Sequence, residues 1–369
     1  MGILRILLAI AVLIAHCGGL PGIRPVSGAI AVEAFFIISG FYMSMILQEK
    51  YQGRSYRLFI TNRLLRIYPI YWFVLVVTFA FSLIIWQLSG HESLPVIDQY
   101  LSLPAGSGAI SFLVFTNLSI FGQDMVMFMG IHPDTGRFFF TSNFWQTSPP
   151  LHSFLFIPQA WSLEVELLFY IVAPFLLKKK KVLIILLMLA SLALRTFLYN
   201  ILNLRHDPWT YRFFPTEIIF FLCGNISYRL YKRWQDRIIP YPVFLFVQVF
   251  IILATLLYGY IPACGIDLLP FSLNELIYFA GVMCAIPLLF RFLKGSRADN
   301  VIGRLSYPIY ISHLLIARIT GSLPFAFLQQ SWCILLFTIF FSYLLDIFIA
   351  EPLERYRQRR VRDHSLLIR

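Results

Sequence analysis

Arg5 and His16 bracket the first apolar stretch of the chain, and the residues between them, Ile6 to Ala15, carry no polar side chain. Their separation of eleven residues is about 16 Å and roughly three turns of α-helix, so both side chains leave the same face. If that helix crosses a bilayer, Arg5 lies at its cytosolic end and His16 about half a bilayer deeper. An imidazole at that depth is costly unless it lines a protein interior or a wet cavity, where it can take up and return a proton. A histidine capping the helix near the outer interface is the plainer alternative.

Three further groups carry chemistry. In Arg63-Leu64-Leu65-Arg66, followed by Tyr68-Pro69-Ile70-Tyr71-Trp72, the i, i+3 spacing puts two guanidiniums on one helix face. Such a fork suits phosphate oxygens, although basic anchoring beside an aromatic belt fits equally well. In Trp161 to Pro174, the residues Ser162, Glu166, Tyr170 and Pro174 recur every fourth position and form one polar stripe. Glu166, about one turn into the membrane, is expected to pair with a cation or move a proton. Glu164 points about 160° away and is expected to be solvated. Third, Glu33 precedes Phe35-Phe36-Ile37-Ile38-Ser39-Gly40-Phe41. It is expected to pair with Arg24 or bind a sugar hydroxyl, while Ser39 and Gly40 are read as close-packing residues. His313 is read as a buried, satisfied histidine.

The elements that must hold these groups are membrane helices. With 59% hydrophobic and only 13% charged residues and a mean hydropathy of +0.75, the chain offers many apolar runs near the length of a bilayer crossing. Ten spans are expected, at 3–20, 27–48, 68–88, 160–177, 182–200, 214–231, 239–260, 271–290, 304–320 and 331–350. The fold class is therefore all-α and polytopic. Residues 1–352 would form one integral membrane domain and 353–369 a basic cytosolic tail.

A net charge of +12 reports topology here and gives no reason to expect nucleic acid. Of the 30 basic residues, 24 fall in alternate loops or near the termini, at Arg5, 49–68, 178–181, 229–237, 291–304 and beyond 350. The positive-inside rule then puts both termini in the cytosol. An even number of crossings follows, so the apolar stretch from Phe112 to Phe121 must be interfacial or re-entrant. A cleaved leader at 1–17 is disfavoured by a weakly basic start and by Ala15-His16-Cys17 as a cleavage site. The five scattered cysteines, Cys17, Cys223, Cys264, Cys284 and Cys333, read as packing residues, with no metal site expected. Phosphate loops, dinucleotide fingerprints, zinc-protease and serine-hydrolase motifs, and a His-x4-Asp pair are all missing from the sequence.

As a set, these residues resemble the acyltransferase-3 family of integral membrane proteins. The resemblance rests on Arg5-x10-His16, the run at 35–41, Arg63/Arg66 with Tyr68-Pro69, and Trp161-Ser162-Leu163-x-x-Glu166-x-x-Phe169-Tyr170-x-x-x-Pro174. It continues in Leu305-Ser306-Tyr307-x-x-Tyr310-x-x-His313 and ends at Glu351-Pro352. It implies O-acyl transfer, most often acetyl, from cytosolic acyl-coenzyme A to sugars of bacterial surface polymers, in the cytoplasmic membrane. The fused SGNH hydrolase-like domain of some members is not expected here.

In that scheme Arg63 and Arg66 hold the phosphates of the donor. Arg5 guides its pantetheine arm toward His16, and His16 takes the proton of the attacking hydroxyl with Glu166 or Glu33 orienting the ring. Direct transfer and a transient acyl-enzyme both fit. Glu33, Ser162 and Tyr170 are the expected substrate contacts, and the acceptor approaches near the 89–159 loop with Trp145. Acetyl-coenzyme A is a co-substrate, and no permanently bound cofactor is expected. The rival reading is a transporter or flippase with an intramembrane His/Glu proton relay.

Overall fold

The computed structural model describes residues 1–88, 95–266 and 269–366. Residues 89–94, part of the long loop expected at 89–159, and 367–369, the end of the expected tail, lie outside the described residues. The rest is almost entirely helical. α1 (Gly2–Cys17), α2 (Gly28–Glu49) and α3 (Tyr56–Leu88) are followed by the short α4 (Pro95–Ser102) and α5 (Gly108–Ser119). A small hairpin of β1 (Met129–His132) and β2 (Arg137–Phe140) comes next. Then come α6 (Trp161–Leu176), α7 (Lys181–Asn200), α8 (Phe214–Trp234), α9 (Tyr241–Leu257), α10 (Leu273–Leu293), α11 (Arg297–Gly321), α12 (Ser331–Leu345) and α13 (Glu351–Leu366).

Each of the ten expected spans coincides with one of these helices. Among the described residues, seven are long and apolar enough to cross a membrane: α2, α3, α6, α7, α9, α10 and α12, some with a neighbouring turn. The other three fall short for visible reasons. α1 is only 16 residues long, and α8 and α11 carry charged residues that pack inward, such as Glu217 and Asp299. α5 has 12 residues, about 18 Å of rise against a hydrocarbon core of roughly 30 Å. It therefore covers the Phe112–Phe121 stretch without the length to cross.

α2 is the hub. It is buried along most of its length, whereas α7 and α9 expose Leu186, Leu189, Phe246 and Phe250 on their outer faces. With lipid outside, close packing and internal polar bonds hold helices together, because burying apolar surface against lipid gains little. The α2–α8 crossing shows the first device: a Cβ on Gly40 would stand 2.0 Å from the Phe221 carbonyl oxygen, and one on Gly224 2.1 Å from that of Ile37. α1 meets α11 as closely, with Asp299 accepting from the backbone N–H of Gly2 (2.8 Å) and Ile3 (3.1 Å). These contacts place the Arg5-to-His16 face of α1 against α11.

The C-terminal segment differs from the expected tail. A π-helical turn, Asp346–Ala350, joins α12 to α13 without a break, so the expected boundary at 352 falls inside a helix. α13 lies on α3 through Arg360, whose guanidinium donates to Asn62 Oδ1 (2.8 Å) and Thr61 Oγ1 (3.0 Å). Arg54 in turn donates to the Val361 carbonyl. Basic residues that composition alone assigns to solvent thus find polar partners on the neighbouring helix.

Candidate active site

Two adjoining chambers with shared walls lie among α1, α2, α3, α6 and α11, the second bounded also by α13. The inner one, about 90 Å³, is lined on its polar side by Arg5, Ser39, Arg66, Glu166, Tyr170 and Tyr310, and on its apolar side by residues such as Val32, Phe36 and Leu163. The outer one, about 410 Å³, shares Arg5, Tyr42, Arg66 and Tyr307 with it and adds Arg304, Glu354 and Arg357. The shared arginines make a basic neck between the two.

Glu166 is the acidic centre of the inner chamber. Its Oε1 accepts from Ser39 Oγ at 2.6 Å and from Tyr170 OH at 2.5 Å, and Arg5 and Arg66 are within its electrostatic reach. Three members of the stripe on α6, Ser162, Glu166 and Tyr170, therefore line the chamber as their spacing predicts, while Pro174 does not. Its members nevertheless serve different partners, since Ser162 Oγ lies 2.6 Å from Tyr310 OH, which also donates to the Gln159 carbonyl at 2.9 Å. Ser39, read from sequence as a packing residue, is a hydrogen-bond donor to Glu166. Its partner is 127 residues away in the chain, so only the α2–α6 contact reveals it.

The two arginines of the Arg63/Arg66 pair separate. Arg66 lines both chambers, whereas Arg63 is 5% exposed, lines neither, and leaves its Nε without a hydrogen-bond partner. Both still act electrostatically on Glu354 of α13.

His16 stands in the last turn of α1, exposed, at the far end from Arg5. Its Nδ1 lies 2.8 Å from the Val12 carbonyl and 3.3 Å from Nε2 of His313, with the rings 5.1 Å apart. His313 is fully buried and its Nδ1 lies 2.7 Å from the Tyr310 carbonyl. A carbonyl accepts only, so both histidines carry the proton on Nδ1. That of His313 goes to the Tyr310 carbonyl and that of His16 to the Val12 carbonyl, with the bare Nε2 of His313 as a second, longer acceptor at 3.3 Å. The Nε2 lone pair of His16 is thereby left free.

Neither carboxylate expected to orient His16 does so. Glu166 lies at the level of Arg5, about three helical turns from His16. Glu33 is buried and takes a hydrogen bond from Arg195 Nη2 at 2.8 Å. Nor does Glu33 pair with Arg24, which stacks over the Tyr260 ring at 5.0 Å. Arg195 bridges Glu33 to Glu217 (3.4 Å), donates to the Thr210 carbonyl, and packs on Phe271 at 4.2 Å. An arginine inside an apolar span was the sequence signal for this cluster, since such a group requires internal partners.

Glu164 is not solvated: it is 4% exposed and accepts from the backbone N–H groups of Gly122 (2.7 Å) and Asp124 (2.5 Å). It does turn away from Glu166, but toward the folded 120–128 segment instead of water. In that segment burial, followed by the nearby Glu164 carboxylate, pushes the Asp124 carboxyl well above the usual carboxylate range. Trp145, expected to stack on a sugar, is exposed with its ring 4.9 Å from that of His152.

Comparison with known proteins adds to this geometry. A family model described as an acyltransferase domain matches residues 1–350. An uncharacterized protein of Aquifex aeolicus (strain VF5) is 29% identical over 233 residues, covering 58% of this chain and 95% of the relative. No solved structure matches.

Proposed function

The chain belongs to this acyltransferase family and is a multi-pass membrane acyltransferase, and on that premise we propose that it carries an acyl group from cytosolic acyl-coenzyme A to a hydroxyl of an exported carbohydrate. Acetyl is the proposed group. A surface polysaccharide, lipopolysaccharide or lipid-linked sugar is the proposed acceptor, and the bacterial cytoplasmic membrane the proposed location. The observation that carries the reading is the arginine-walled outer chamber that shares Arg5 and Arg66 with an inner chamber having one polar and one apolar side. A polyanionic head suits the first space and a slender thioester arm the second.

Arg5 and Arg66 hold the donor at the neck, with Glu166, itself held by Ser39 and Tyr170, balancing their charge from the other side. The arm extends along α1 toward His16, about 16 Å away. Tyr310 lies along this route, lining the inner chamber beside Phe35 (rings 6.4 Å apart) with its ring 6.2 Å from that of His313. At the far end the acceptor hydroxyl attacks the thioester carbonyl carbon. A C–O bond forms and the C–S bond breaks. His16 Nε2 takes the hydroxyl proton and returns it to the leaving thiolate. The Val12 carbonyl holds the tautomer whose Nε2 is a base, and His313 is a positioning residue that shares the His16 Nδ1–H through its bare Nε2 and fixes the plane of the ring. A transient acyl group on His16 would use the same nitrogen.

Membranes containing the protein, supplied with acetyl-labelled acetyl-coenzyme A and the isolated surface carbohydrate, should transfer label to the carbohydrate and lose that activity in His16→Ala. Proton-coupled transport that proceeds without coenzyme A would overturn the reading in favour of a transporter.

A further inference from the structure

We propose that α13, which lies beyond the family-matching region, completes the donor site, with Arg357 joining Arg63 and Arg66 in one anion-binding cluster for the phosphates of the donor. The inference rests on the acyl-coenzyme A reading above and names the residues that would recognise its nucleotide end.

The first argument is charge. Arg5, Arg63, Arg66 and Arg357 act on one another or on shared neighbours around the neck, and Glu166 and Glu354 are the carboxylates among the main influences on Arg5, Arg66 and Arg357. Four guanidiniums against two carboxylates leave two positive charges in excess. Arg304 brings no spare acid, because it is matched by Asp346 (3.0 Å), while Glu351 (3.6 Å from Arg304) is matched by Arg355 at 2.6 Å. Arg63 and Arg357 repel one another although both are buried, at 5% and 8% exposure. Removing like charges from water side by side is costly unless an anion joins them.

The second argument is hydrogen bonding. Nε of Arg63 and Nε of Arg357 are both buried and have no partner. Arg357 Nη1 donates to Glu354 Oε2 at 2.6 Å, and its side chain lines the outer chamber. Arg66 and Arg357 line the same chamber of about 410 Å³, with Arg63 buried behind them, and together they match the several acceptor oxygens of a diphosphate and a ribose phosphate. α13 is pinned to α3 by Arg360 and to the loop before α3 by Arg54, so Arg357 is held in place before any ligand arrives.

Coenzyme A and pantetheine, which lacks the nucleotide, are the probes for calorimetric titration of the purified full-length protein. Arg357→Gln should weaken coenzyme A binding about tenfold or more, as loss of a charge-assisted bond does, and leave pantetheine binding unchanged. Glu354→Gln should tighten coenzyme A binding, because it removes the competing acid. If the Arg357–Glu354 pair only staples α13, both variants weaken binding alike or not at all, and either result overturns the inference. Coenzyme A that fails to bind the unaltered protein overturns the donor reading itself.

Discussion

At the scale of single residues, the division of labour between the two histidines is open to direct test. His16→Ala should abolish transfer while insertion stays near normal, since its exposed ring makes few packing contacts. His313→Phe keeps a ring of similar size but cannot accept from His16 Nδ1–H. It should lower kcat by about 10²-fold, in the range of a disturbed general base, and should change the shape of the pH–rate profile. His313→Gln, which can still accept, should recover part of the rate. An unchanged pH profile in the Phe variant would show that His313 only packs. The acidic pair on α6 gives a second contrast. Glu166→Gln, which removes the charge that balances Arg5 and Arg66, should cut transfer about tenfold with a raised KM for the donor. Glu164→Gln puts an amide N–H against backbone donors and should cost about 1–3 kcal/mol of stability. Thermal melts in detergent alongside transfer assays separate the two, and a stable, fully active Glu164→Gln would contradict the role of Glu164 as anchor of the 120–128 segment.

At the scale of elements, close backbone approach at the α2–α8 crossing sets the position of the site, because α2 supplies Ser39 and Tyr42 to the chambers. Gly40→Ala would force a methyl to 2.0 Å from a carbonyl oxygen of α8. Backbone cannot yield as a flexible side chain can, so the helices must move apart, at a cost of about 1–3 kcal/mol. Gly40→Ala and Gly224→Ala should each lower the melting temperature and the transfer rate together. Gly321→Ala, where nothing stands within 4 Å, should do neither. Size-exclusion profiles after heating provide the measurement, and an unaffected Gly40→Ala would refute the tight crossing.

At the scale of the whole molecule, the chambers and the histidine pair lie toward opposite ends of α1, which matters only if those ends face different compartments. Positive-inside reasoning puts the Arg5 end in the cytosol. In a variant with the native cysteines replaced, Gln52→Cys and Lys179→Cys should react with a membrane-impermeant thiol reagent only after cells are opened. Asp134→Cys and Asn203→Cys should react in intact cells. The opposite pattern would reverse the path of donor and acceptor.

Hydropathy made the membrane helices legible in the sequence, because a chain in lipid must satisfy its backbone within each helix, and long apolar runs leave few alternatives. Helical periodicity also showed that Ser162, Glu166 and Tyr170 share a face and that Glu164 turns away from it. It could not show what each face meets. Glu164 met backbone N–H groups of a folded loop where open water was expected, and the basic C-terminal residues met α3. The decisive pairings were long-range: His16 with His313 across 297 residues, Glu33 with Arg195 across 162, and Ser39 with Glu166 across 127. Local spacing sets the direction of a side chain along its own helix. Which helices become neighbours, and in what register, depends on close-packing contacts such as Gly40 against Phe221, so the tertiary structure alone decided which ionisable groups share a site.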